Sequence, residues 1–435
     1  MDIIKFFSVL FCAAFLVACN GGASEGNRGF IKVEDGHFVK GGAPYYFIGA
    51  NMWYAAVLAS EGEAGDRGRL SRELDSLQAM GVDNIRVCVG SDGPDGVRTK
   101  YEPSLQPEPG RYDDTLFLGL DYLMAELGRR NMTAVLYLTN SWEWSGGFGQ
   151  YLEWAGFGRT PLSSEVSWSE YCRAVARFYN SEEATNMYSQ HVRNVVSRVN
   201  TVTGKPYSED PAIFSWQLCN EPRPFSKDNK TVFLEWVRKN AAIIKSLDTN
   251  HMVSTGSEGL YGCEVDPDLF RAIHSIPEID YFNIHIWPYN WNWVEKDGID
   301  SVDAAIAESG KYIDAHMFAV RDAEKPLVIE EFGYPRDGLS FERGTPTSAR
   351  DEYYRFICSL VVESATEGGP VAGCNFWAWG GEAVKAQDQW KPGDDYSGDP
   401  AHEPQGFYSV YADDSTTIGV VREANRKILG LDGCR

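Results

Sequence analysis

The 435-residue sequence predicts an α/β fold of the (β/α)8 TIM-barrel type in a single domain, and three observations carry that prediction. Eight short runs rich in Val, Ile, Phe, Tyr and Trp alternate with longer segments of helical periodicity, as a parallel sheet requires. Eight such units are the number that closes a barrel. The polar residues of the runs also gather at their carboxyl ends, the face on which barrels of this kind do their chemistry. A doubly wound open sheet is the competing arrangement, but no GxGxxG follows the first run.

The runs are PYYFIGANMW (44–53), VDNIRVCV (82–89), MTAVLYLT (132–139), IFSWQLCNE (213–221), HMVSTGSE (251–258), YFNIHIW (281–287), PLVIEEFG (326–333) and GCNFWAWGG (373–381). Between them, residues 70–81, 115–131, 232–248 and 350–365 place apolar side chains at helical spacing, and several of these segments close on Gly or Asn, a helix-stop signal. The third connection, from Asn140 to Pro211, opens on the aromatic and glycine-rich stretch NSWEWSGGFGQYLEWAGFG. A connection that long is expected to serve function.

Composition narrows the ligand. The formal charge of −22 and the absence of a Lys/Arg cluster disfavour nucleic acid and anionic substrates, leaving a neutral one as the easiest case. Aromatic residues make up 13% of the chain, with 13 Trp and 22 Tyr, a surplus that suits either stacking on flat apolar faces such as sugar rings or a large aromatic core. Residues 1–18 read as an export signal: one Lys, an apolar run too short to span a membrane, and small residues before Cys19. Leu16-Val17-Ala18-Cys19 resembles a bacterial lipobox, so Cys19 is the expected lipidation site, 19–29 a flexible spacer, and 30–435 the folded domain of an exported lipoprotein at the cell surface, outer membrane or periplasm. Of the nine cysteines, Cys88, Cys219 and Cys374 fall inside apolar runs and read as buried thiols. There is no CxxC and no Cys/His cluster, so neither a metal nor another cofactor is expected. A monomer is expected.

Two glutamates at the ends of the fourth and seventh runs, Glu221 and one of Glu330 and Glu331, would face each other across a barrel mouth. Hydrolysis of a glycoside needs such a pair, one to protonate the leaving oxygen and one to attack the anomeric carbon or activate water. Arg86 and His285 are candidate donors that set the two carboxyls apart. Each residue alone has a plainer reading: a solvated turn glutamate, a buried ion-pair arginine, a core histidine. Strand alternation places Ser215, Gln217, Cys219 and Glu221 inside the barrel and Phe214, Trp216, Leu218 and Asn220 outside, so Asn220 must be turned by the bend that Pro222 makes. The same rule sends one of Glu330 and Glu331 inward and the other away.

Asn220-Glu221-Pro222, Glu331-Phe332-Gly333, Arg86, His285 and Trp377, in this order over residues 30–430, resemble the clan A glycoside hydrolases of family 5. Asn140-Ser141-Trp142 with Gly146-Gly147 and Tyr151, Arg223 after the NEP motif, and HIWPYNW (285–291) make the chain look most like endo-β-1,4-mannanases. The resemblance implies Glu221 as general acid/base and Glu331, directly before the aromatic-Gly pair, as nucleophile of a retaining double displacement. It further implies Asn220 at the sugar 2-hydroxyl, Arg86 beside the nucleophile, and Trp377 beneath the sugar. Trp53, Asn140, Trp142 and Arg223 would line flanking subsites and His285 would hydrogen-bond near the acid/base. Trp287 stands where many relatives carry Tyr, which removes a hydroxyl contact to the nucleophile. The implied substrate is a β-mannan polysaccharide: mannan, glucomannan or galactomannan. A β-1,4-glucanase on the same barrel and a surface lipoprotein that only binds glycan are the alternatives, the second expected to have lost one carboxylate.

Overall fold

Each predicted run contains a parallel strand, and the eight strands form one sheet in the computed structural model, which describes residues 29–295 and 298–432. They are β1 (Phe47–Asn51), β2 (Asn84–Cys88), β3 (Thr133–Tyr137), β4 (Ile213–Gln217), β5 (Met252–Ser254), β6 (Phe282–Ile286), β7 (Leu327–Phe332) and β8 (Val371–Phe376). The helices that follow them are α1 (Arg67–Ala79), α2 (Asp114–Arg130), α3 (Glu182–Val196), α4 (Lys230–Leu247), α5 (Pro267–His274), α6 (Val302–Ala323), α7 (Ser348–Glu367) and α8 (Ser415–Asp432). The predicted signal segment, Cys19 and the spacer up to residue 28 lie outside the described residues.

The ends of the chain meet to close the ring: β8 pairs with β1 in the register Gly373↔Phe47 to Phe376↔Ala50. Between β5 and β6 there is no ladder among the described residues. Single bonds bridge the gap, from Asp280 N to Val253 O at 2.8 Å and from His285 N to Glu258 O at 3.2 Å. The eighth strand differs from expectation by starting at Val371 and stopping at Phe376. Beyond it, Trp379–Gly381 leaves the barrel to pair with Val410–Tyr411.

Local chemistry explains the helices. The α2 sequence buries Leu116, Leu120, Leu123 and Leu127 on one face, Asp113 caps its first turn by accepting from Thr115 N and Leu116 N, and Asn131 ends it at φ +56°. Similarly, Asp266 caps α5 ahead of Pro267, whose missing N–H costs nothing at that position. The three-stranded hairpin of residues 32–44 plugs the amino-terminal end. From it Phe38 packs edge-on against Phe214 (5.1 Å) and Tyr281 (5.4 Å).

Phe214 therefore does not face the helices, as alternation predicts. A register break where Ala134 pairs with Ile213 and Val135 with Ser215 inserts one residue in β4, so Phe214 fills the barrel floor against Phe47 while Ser215 bonds Tyr281. Trp216 does point outward as expected, donating Nε1–H to Asp248 at 2.7 Å. Cys88, Cys219 and Cys374 are buried free thiols.

Candidate active site

At the carboxyl end of β4 the chain turns sharply. Glu221 has φ +50°, a left-handed conformation that a non-glycine residue adopts at a cost of order 1–3 kcal/mol, and Pro222 follows it. The turn brings Asn220 and Glu221 to the mouth together, with Glu221 N bonded to Gly256 O at 2.9 Å and Asn220 N to Thr139 O at 2.8 Å. Two consecutive side chains thus serve one site, as the bend at Pro222 predicts.

The same outcome arises differently in β7. Its register against β6 breaks between Ile329 and Glu331, so Glu330 is an extra residue and both carboxylates turn into the barrel. This corrects the expectation that one would face away. Glu331 reaches the mouth, and Glu330 lies beneath it, accepting from Tyr281 Oη (2.8 Å) and Gln217 Nε2 (2.5 Å). Burial pushes the Glu330 carboxyl above its ordinary range, against the pull of Arg86, 4.0 Å away.

Arg86, fully buried on β2, is the hub that joins the strand ends. Its Nε and Nη2 donate to Gln217 Oε1 (2.8 and 2.6 Å), Nη2 to Asn220 Oδ1 (2.7 Å), and Nη1 to Asn51 Oδ1 (3.1 Å) and to Glu331. Its guanidinium lies 4.6 Å from the Tyr137 ring centre. Burial alone would lower its pKa, but Glu331 and Glu330 more than offset that, so the guanidinium is a permanent positive charge beside Glu331.

Glu221 is gripped at both oxygens: Oε1 by His285 Nδ1 (2.9 Å) and Trp287 Nε1 (3.3 Å), Oε2 by Trp142 Nε1 (2.5 Å). His285 Nδ1 also lies 3.3 Å from Glu331 Oε2. Against the effect of burial, Glu331 and Glu221 raise the His285 pKa to about 9. Burial would raise Glu221 too, yet His285, Arg223 and Trp142 hold it well below the usual carboxylate range. The pair therefore keeps one proton between them in the resting site.

These shifts fix a stability window. A histidine raised to about 9 contributes stability that is complete below the ordinary pKa of ~6.5 and is lost as pH climbs through 9. Glu403, raised to about 8 by burial, Asp399 and Glu331, acts in the same direction, since the unfolded chain releases its proton first. The Tm is thus expected to fall from pH 6.5 to 9, and Glu403→Gln to fall less steeply. A thermal melt series that is flat over this range would contradict the assignment.

The carboxylates open into a cavity of about 520 Å³, lined by Asn220, Glu221, Arg223, Glu331, Trp142, Trp287 and Trp377 among others. Trp377, joined to Ala378 by a cis peptide, packs edge-on against Trp287 (5.9 Å) and Trp144 (6.5 Å). Arg223 stacks over Trp142 and pairs with Glu258. Ligand atoms of Glu221, His285 and Glu331 lie within 4.8 Å of one another, a convergence that could hold a cation by distance alone. Arg86 and a protonated His285 already bring two positive charges to those carboxylates, which opposes a third.

Two predicted lining residues stand elsewhere. Trp53 is buried behind the wall, donating Nε1–H to Gly398 O (3.1 Å) and packing on Trp144 (5.7 Å), because the turn after β1 points it into an aromatic cluster with Tyr101 and Tyr396. Asn140 is also fully buried, and its Oδ1 accepts from Asn220 Nδ2 and Trp142 N (both 3.1 Å), bracing two residues that do reach the cavity. Trp287, expected to lack a contact to the nucleophile, instead contacts Glu221.

Sequence reasoning missed Glu143, Trp144, Glu258, Tyr261, Trp291, His402 and Glu403 in the lining. Glu258 ends the fifth run and the first two lie in the aromatic connection, so the strand-end and long-loop rules reach those three. His402 and Glu403 belong to a segment after β8 that carries no motif. There Asp399 accepts from Gly406 N and Tyr408 N (both 2.8 Å), and Arg350 donates to Phe407 O (2.7 Å) and Ser409 O (3.0 Å), fixing the segment across the mouth with His402 stacked on Trp144.

Residues 28–432 match the model of the family described as glycoside hydrolase family 5, β-mannosidase-like. Similar proteins include a putative mannan endo-1,4-beta-mannosidase 9 of Oryza sativa subsp. japonica, 33% identical over 84% of this chain and 85% of its own. Mannan endo-1,4-beta-mannosidase 1 of Arabidopsis thaliana is 30% identical over 87% and 88%. The crystal structure of a glycoside hydrolase family 5 mannosidase from Rhizomucor miehei superposes with a TM-score of 0.86 at 34% identity, covering 94% of this chain and all of that one; a mutant of it was solved with mannosyl-fructose (TM-score 0.86, 35% identity, 93% of this chain and 98% of that one). With its eight-stranded barrel and a full-length match to the family model, the chain belongs to the β-mannosidase-like glycoside hydrolases of family 5.

Proposed function

We propose that this protein hydrolyses internal β-1,4-mannosidic bonds of mannan, glucomannan or galactomannan with retention of configuration. The observation that carries the reading is the pair Glu221 and Glu331, each with one carboxylate oxygen within 4.8 Å of one of the other's, at the mouth of an aromatic-lined cavity. Retaining glycosidases hold their carboxyl groups about 5–5.5 Å apart, whereas inverting ones need ~6.5–9.5 Å to admit a water. The similarity to enzymes named mannan endo-1,4-beta-mannosidases supports the choice of sugar.

Glu331, with Arg86 as its counter-charge, attacks the anomeric carbon while Glu221, drawing on the proton it shares with His285 across their 2.9 Å hydrogen bond, passes a proton to the departing glycosidic oxygen. The C–O bond to the leaving chain breaks as the bond to Glu331 Oε forms. Glu221, now a carboxylate, then takes a proton from water, which displaces Glu331 from the anomeric carbon. Asn220, oriented by Arg86 and Asn140, presents its amide to the sugar's 2-hydroxyl, and Trp377 forms the platform beneath the ring.

The test is to follow cleavage of linear β-mannan and of a soluble β-1,4-glucan by proton NMR. Faster release of reducing ends from mannan, with the β-anomer appearing first, is expected. Preference for the glucan would overturn the sugar assignment, and initial α-anomer would overturn retention.

A further inference from the structure

The cavity does not end at the catalytic pair. A second groove of about 640 Å³ shares Arg223 and Trp168 with it, so the two hollows adjoin at those side chains. From Glu221 the path runs over a stair of indoles. Trp142 donates to Glu221 Oε2, and Trp168 stands 5.5 Å from Trp142 with the rings tilted by 37°. The Arg223 guanidinium covers both, 5.0 Å from the Trp142 ring centre and 5.7 Å from that of Trp168.

Trp168 is 53% exposed, although indole is among the costliest side chains to leave in water. It is also braced. It opens the helix Trp168–Val175 directly after Ser167, whose hydroxyl and Glu170 form a reciprocal capping box, and its ring stacks on the buried Tyr171 at 6.0 Å. An exposed but braced indole at the rim of a catalytic cavity is positioned for a flat apolar partner.

We propose that Trp168 is a binding platform for a mannosyl unit on the leaving-group side of the cleaved bond, and that the groove beyond it accepts the continuing neutral chain. The direction follows from Glu221 as acid/base, so the inference rests on the function proposed above. Trp142 and Arg223 flank Glu221, and the same cavity also holds Trp377, Trp144, His402 and Glu403. The groove mixes Arg173 and Arg177 with Asp228 and Glu264, a set of donors and acceptors that suits hydroxyls rather than a polymer of one charge.

The experiment measures binding of β-1,4-mannohexaose and β-1,4-mannotriose by calorimetry to Glu331→Gln and to Glu331→Gln/Trp168→Ala. The double variant is expected to bind the hexaose roughly three- to tenfold more weakly, the scale of one lost aromatic contact, and the triose more weakly by no more than that, since only some of its registers reach Trp168. Trp168→Phe in the same background should recover most of the loss. No loss on the hexaose, or a loss that Trp168→Phe does not recover, would overturn the platform. Failure of the wild-type enzyme to cleave mannan at all would instead overturn the reading of the catalytic pair.

Discussion

Glu331→Gln is expected to lower kcat on β-mannan by roughly 10⁴- to 10⁶-fold with KM little changed, the scale seen when a covalent nucleophile is removed. The amide matches the carboxylate in size but carries no negative charge to attack the anomeric carbon. A structural effect accompanies the chemical one. Arg86 is fully buried, and removing one partner of a buried pair costs roughly 3–5 kcal/mol. Glu330, 4.0 Å from Arg86 Nε, keeps a compensating acid in place, so the loss should fall toward the lower end and the variant should fold. Azide distinguishes the chemistry from mere unfolding. In Glu331→Ala it can enter the vacated space and displace the aglycone directly, giving an α-mannosyl azide. A folded variant that retains more than a hundredth of wild-type kcat would remove Glu331 from the role.

Glu221→Gln is expected to cost about 10²–10⁴ in kcat on mannan, the usual contribution of a general acid. The loss should depend on the leaving group. An aryl β-mannoside with an acidic phenol needs little protonation, so its first step should stay fast while release of the sugar from Glu331 becomes slow. A burst of phenol followed by a slow steady state is the signature, measurable by stopped flow. Added azide should accelerate the slow phase and give the β-mannosyl azide, the opposite anomer from that formed by Glu331→Ala. Equal slowing on mannan and on the aryl substrate, without a burst, would count against Glu221 as acid/base.

Much of this site is legible in the sequence because strand ends announce themselves. Asn220-Glu221-Pro222 places polar residues and a proline directly behind an apolar run, and the chain does turn there. The limits have physical causes. Period-two alternation assumes an unbroken ladder, and the extra residue in β4 turns Phe214 inward while that in β7 brings Glu330 in beside Glu331. Neither insertion leaves a Gly or Pro to mark it. Trp53 looks like a cavity residue by its position after β1, but an indole is apolar enough to be consumed by the aromatic cluster behind the wall. His402 and Glu403 are placed by a network around Asp399 and Arg350 whose partners are mostly backbone atoms, and such bonds are indifferent to sequence.

The pairing of β8 with β1 has a consequence in time. Phe47 and Gly373 meet only after more than three hundred intervening residues have been ordered, and Arg86 meets Glu331 across 245. Contacts so distant in sequence demand loop closure before they repay it, and they slow folding. A chain emerging from the ribosome carries Arg86 and Glu221 long before their partner Glu331 exists, and it cannot complete the ring until Phe376 is free of the exit tunnel. Recovery of catalysis during refolding is therefore a clock for the final closure, running later than any spectroscopic signal that reports helices alone.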